Sequence, residues 1–127
     1  MLRQLLEECE KGRFAEVVLM LSNSATTAEV YTMFEDLRFT EDGETVTFMA
    51  DGGTHLHLKM DEVKSGKLVQ TTNDRGLPSY SLWLLDSEEQ PLLRVYLRKS
   101  DNEETNPPRH DYFVGLVRKY GEAFPIR

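Results

Sequence analysis

From His55 to Met60 the chain alternates polar and apolar residues without a break (His-Leu-His-Leu-Lys-Met). That period of two belongs to a half-buried β-strand and not to a helix. Successive side chains of a strand point to opposite faces, so Leu56, Leu58 and Met60 are expected against a core. His55, His57 and Lys59 then form a row on the other face. Two of the chain's three histidines thus stand at i and i+2, about 7 Å apart by the strand rise. Imidazoles titrate near neutral pH and can bind a metal. A solvated strand face carrying two ordinary polar residues is the plainer reading of the same peptide.

Further strands follow from the same period. Thr45–Met49 comes after the turn residues Glu41 to Glu44, and Asp51-Gly52-Gly53 turns the chain into the histidine strand. Ser65-Gly66 leads into Lys67–Thr72, and Asn73 to Pro78 reads as a loop. Ser79–Leu85 and Leu92–Arg98 are the clearest strands, joined by the acidic turn Asp86 to Pro91. Ala15–Leu21 is a compact apolar run and reads as a buried strand. Thr26–Phe34 fits either a strand or a helical stripe.

Helices are expected at both ends. Leu2, Leu5, Leu6 and Cys9 share a helical face, with Gly12 as a stop. After the acidic loop Ser100 to Pro108, residues Arg109–Tyr120 carry Tyr112, Phe113, Leu116 and Tyr120 on one stripe, stopped by Gly121. The fold class is therefore α+β: a single domain over residues 1–127, mainly an antiparallel meander with N- and C-terminal helices. A chain of 127 residues suits one hydrophobic core.

The net charge of −7 argues against general attraction to nucleic acid or to an anionic membrane. No apolar run approaches the roughly 20 residues needed to cross a bilayer. The first residues are acidic and amphipathic rather than signal-like, and the single cysteine, Cys9, cannot form an intramolecular disulfide. A cytoplasmic location is expected. The sequence carries no phosphate loop, dinucleotide fingerprint or nucleophile elbow. Cys9 on a helix face is expected to be an inert thiol, and the carboxylate runs keep turns in water. His110 reads as part of a helix entry or as an exposed ligand. Tyr80 and Trp83 lie on opposite faces of one strand; at least one of them lines a pocket or is covered by the terminal helices.

Several of these segments, taken in order, resemble the single-domain haem-utilisation proteins of the ChuX/HutX type, which are related to each half of the HemS-type proteins. His57-Leu58-Lys59 with the following Asp61-Glu62 is similar to the family's Gly-His-[Ile/Val]-Lys segment and its acidic follow-on. Ser79–Asp86 and Leu92–Arg98 are similar to its two central partner strands, and the last helix to its closing helix. The match covers about the C-terminal two thirds of the chain. The resemblance implies haem as ligand, a homodimer, and His57 as the haem-contacting and iron-ligating residue. Leu56 replaces the family's glycine. The position of the family's second histidine, near Leu21-Ser22, holds none here, which leaves His55 as a substitute.

Under this resemblance, Lys59 or Arg94 would meet the haem propionates, and Trp83 or Tyr80 the macrocycle. Haem-degrading relatives of this fold exist, but no residue here points to electron delivery or oxygen activation. The expected role is a carrier or buffer rather than an enzyme. The competing reading is a non-haem interaction or regulatory module on the same fold.

Overall fold

The computed structural model describes residues 1–11, 16–33, 36–49, 54–72, 76, 78–97 and 107–126. Helix α1 spans Leu2–Lys11 and is followed by β1 (Glu16–Ser22), β2 (Thr27–Met33), β3 (Leu37–Phe39), β4 (Thr45–Met49) and β5 (His55–Lys59). One 3₁₀ turn, Met60–Glu62, leads to β6 (Ser65–Thr72), β7 (Pro78–Leu85) and β8 (Pro91–Leu97). Helix α2 (Pro107–Tyr120) and β9 (Ala123–Pro125) close the chain. The expected features at Gly12, Ala15, Phe34, Asp51–Gly53, Asn73–Arg75, Leu77 and 98–106 lie outside the described residues.

The strands form two antiparallel sheets, a six-stranded one in the order β2-β1-β8-β7-β6-β9 and a three-stranded one in the order β3-β4-β5. The expected pairing of the two clearest strands is present, with Leu82 opposite Val95 and Trp83 opposite Arg94. Their turn is built by Asp86, whose Oδ1 accepts from the backbone N–H of Glu88 (2.8 Å) and Gln90 (2.9 Å). Within the ambiguous segment Thr26–Phe34, residues Thr27–Met33 are a strand, because all seven pair with β1, from Thr27 opposite Ser22 to Met33 opposite Glu16. The split into two sheets was not legible beforehand. Strands β3 and β9, three residues each, are too short to show a period.

Both sheets and both helices share one core. Leu5 and Leu6 of α1, Val17 and Leu19 of β1, Val46 of β4, Leu82 and Leu84 of β7, and Leu93 and Val95 of β8 are all fully buried. Phe48 and Leu58 of the smaller sheet, and Phe113 and Leu116 of α2, complete the same cluster. Burial of this apolar surface, at roughly 25 cal/mol per Å², is what holds the smaller sheet and the helices in place. Polar contacts fix the two helices relative to each other. The Tyr112 hydroxyl donates to the Glu8 backbone carbonyl (2.8 Å), the Tyr120 hydroxyl donates to Glu8 Oε2 (2.8 Å), and the Lys119 ammonium pairs with Glu8 Oε1. Gly121, at φ 87°, ends α2 with its N–H on the Val117 carbonyl (2.7 Å), a left-handed cap that glycine adopts without Cβ strain.

Candidate functional site

The histidine strand is displayed as its alternation requires. In β5 Leu58 is buried and Leu56 half-buried, while His55, His57 and Lys59 are exposed; Met60 packs against the core from the following turn. Strand β4 pairs with β5 so that Thr45 faces Lys59, Thr47 faces His57 and Met49 faces His55. Opposed residues of an antiparallel pair share a face. The outward surface of this ribbon is therefore Thr45, Thr47, Met49, His55, His57 and Lys59.

One hydrogen bond orients the row. His57 Nδ1 lies 2.8 Å from Thr47 Oγ1. With the proton on Nδ1, the imidazole donates to the Thr47 hydroxyl and Nε2 keeps a free lone pair, the arrangement that metal-bound histidines adopt with an acceptor behind them. The His55 and His57 rings meet edge to face, with centroids 6.0 Å apart and planes at 88°. Thr47 was not among the residues singled out from sequence, since its pairing with His57 depends on the β4–β5 register. The only signal was its place in the alternating run Thr45–Met49.

The other two candidate residues form a separate group. Trp83 and Arg94 are cross-strand partners on the six-stranded sheet, on the opposite face from the core residues Leu82, Leu84 and Val95. The Arg94 guanidinium lies 4.2 Å over the Trp83 ring, a cation–π contact. Its Nη1 approaches Met20 Sδ at 4.0 Å, and its buried Nε has no hydrogen-bond partner among the described residues. Trp83 Nε1 donates to Ser81 Oγ at 2.9 Å. Val18, Met20, Glu29, Tyr31 and Tyr96 border a depression of about 310 Å³ on this face. Because the two sheets turn their apolar sides to one core, His57 and Arg94 sit on outer faces of different sheets. Within the chain, the fold brings His55, His57 and Lys59 together and keeps Trp83 and Arg94 apart from them.

Tyr80 belongs to the core. Its ring packs on Phe113 with centroids 5.0 Å apart and its hydroxyl lies 2.8 Å from His110 Nδ1. Of the two aromatics weighed for a macrocycle, only Trp83 is left on an outer face. His110, exposed near the start of α2, is tied to Tyr80 by that bond. Cys9 is buried, and burial pushes its thiol up to about 12, so it is no nucleophile at neutral pH. A groove of about 710 Å³ between β6 and α2, bordered by Leu68, Phe113, Val117 and Arg118, includes no histidine. Among the described residues, no three His, Cys, Asp or Glu side chains group as a metal site, and no helix is long and apolar enough to cross a membrane.

A family model described as haem utilisation ChuX/HutX matches residues 1–112. No curated protein matches the chain. Among solved structures, a protein from Agrobacterium tumefaciens superposes with a TM-score of 0.74 at 18% identity, covering 93% of this chain and 66% of that one. The haem-binding protein ChuX gives 0.71 at 12% identity, over 91% of this chain and 70% of its own. The haem-degrading enzyme ChuS of Escherichia coli O157:H7 gives 0.70 at 14% identity, over 90% of this chain and 33% of its own. At these identities the likeness establishes the fold. The chain spans about two thirds of the length of the first two and one third of the third.

Proposed function

The chain belongs to the ChuX/HutX haem-utilisation family, and from that premise we propose that it binds haem through His57 as a cytoplasmic carrier or buffer. The observation that carries this reading is the 2.8 Å contact between His57 Nδ1 and Thr47 Oγ1. It engages Nδ1 of an exposed imidazole, which leaves Nε2 as the donor an iron porphyrin takes as its axial ligand. Lys59, in the same row, is the cation for a propionate. His55, with its ring centroid 6.0 Å from that of His57, is the candidate for the missing second histidine.

Trp83 and Arg94 fall outside that row, and this reading gives them a different part. Their face, with Val18, Met20, Tyr31 and Tyr96, is the surface through which the chain forms a homodimer. Tyr31, 56% exposed, is the kind of large side chain such an interface buries. The reading carries no catalytic step. A second reading, a non-haem interaction module on the same fold, is favoured by one observation: the residues expected to surround a haem are divided between two sheets.

A haem titration followed in the Soret band tests the proposal. The wild-type chain is expected to shift the band and His57→Ala to abolish the shift while keeping its far-ultraviolet spectrum. A wild-type shift unchanged in His57→Ala would remove His57 from the site, and the absence of any wild-type shift would leave the interaction module. Sedimentation tests the dimer separately; only monomer at tens of micromolar, roughly the range where a modest interface assembles, would overturn it.

A further inference from the structure

The row of the β4–β5 ribbon contains a donor that haem ligation does not use. Met49 lies directly opposite His55 in the register and is half-buried on the outward face of β4, so a thioether stands beside two imidazoles. Directly opposed Cβ atoms are about 4.5–5.5 Å apart and diagonal ones about 7–8 Å. Three rotatable bonds let a methionine sulfur reach across either span. The two rings also suit a shared ion. A metal about 2.1 Å from a ring nitrogen sits roughly 3.2 Å from that ring's centroid, so two ligating rings can be at most about 6.4 Å apart. The observed separation of 6.0 Å falls within that limit, and turning the His55 ring out of its edge-to-face setting would aim both imidazoles at one ion.

From these positions we propose that Met49, His55 and His57 form a copper(I) site. Thioether and imidazole are soft and borderline donors that select copper(I). The row has no carboxylate, so it offers nothing to magnesium or calcium, which need oxygen ligands. The Thr47 hydroxyl behind His57 Nδ1 leaves Nε2 for the ion. The site does not require that haem bind, although it shares His57 with that reading.

The test is an anaerobic competition in which the full chain withdraws copper(I) from a coloured bicinchoninate complex. The expected result is one equivalent taken by the wild type, at least a tenfold weaker competition by Met49→Leu, and no competition by His55→Ala, all three with matching thermal melts. A wild type that takes no copper, or a Met49→Leu variant that competes as well as wild type, would overturn the site. Met49→Leu is expected to titrate haem like the wild type, so failure here and failure of the haem reading are told apart.

Discussion

Thr47 Oγ1 lies 2.8 Å from His57 Nδ1, and the two residues are direct partners across the β4–β5 ribbon. The hydroxyl therefore holds the rotation of the imidazole, and where it accepts from Nδ1–H it leaves the lone pair on the far nitrogen. Thr47→Val keeps the shape and the β-branched side chain but removes the acceptor. Loss of an outer partner of a ligating histidine costs about 10- to 100-fold in affinity. Haem titration of Thr47→Val is expected to show a drop at the low end of that range, because the site is exposed, and Thr47→Ser is expected to restore it. Equal affinities for all three would show that the hydrogen bond does not orient the ligand.

Glu8 joins α1 to α2 through Lys119 and Tyr120. The Lys119 hydrogen bond holds its carboxyl below the ordinary value of 4.5. A carboxylate depressed in the folded state contributes stability above its unfolded pKa, and that contribution is lost as the pH falls through the folded value. The melting temperature of the wild type is expected to decline below about pH 4.5 more steeply than that of Glu8→Gln. The two curves should converge in acid, where the wild-type carboxyl is protonated. Parallel curves from pH 7 down to pH 3 would remove Glu8 as the source.

Gly66 faces Phe124 across β6 and β9. A Cβ on Gly66 would come within 2.6 Å of the Phe124 ring, and that ring is itself buried. Gly66→Ala forces the ring out of its site and is expected to cost about 1–3 kcal/mol in denaturant unfolding. In the double variant Gly66→Ala with Phe124→Leu, the penalty of the alanine should shrink, because the two changes act on one contact. Additive penalties would contradict this.

Glu89 is a non-glycine residue at φ 61° in the β7–β8 turn. The left-handed conformation costs an ordinary residue about 1–2 kcal/mol, and glycine escapes it while losing some of the gain to chain entropy. Glu89→Gly is therefore expected to stabilise the chain by up to about 1 kcal/mol, seen as a rise in melting temperature. A fall would mean that the Glu89 side chain, rather than the turn that Asp86 organises, holds the conformation.

Local pattern in the sequence determined most of the elements, β3 and β9 excepted, and the display of the candidate histidines. The alternation of β5 placed Leu58 inside and His55, His57 and Lys59 outside, because side-chain direction in a strand is set by the backbone pleat alone. The helical spacing of Leu2, Leu5, Leu6 and Cys9 likewise gave a face that is buried throughout. The two clearest strands found each other through a short turn, a contact whose partners are close in sequence. Tertiary structure decided what lies far apart along the chain. Nothing in residues 79–97 says that they belong to a different sheet from the histidine ribbon, so Arg94 and Trp83 could not be separated from His57 by reading. Thr47 and Met49 were equally silent, because a one-residue change of register exchanges the two faces of a strand. The β4–β5 register follows from burying Val46, Phe48 and Leu58 in the core shared with the larger sheet. Periodicity tells which way a side chain points; only packing of the two sheets on one core tells what stands beside it.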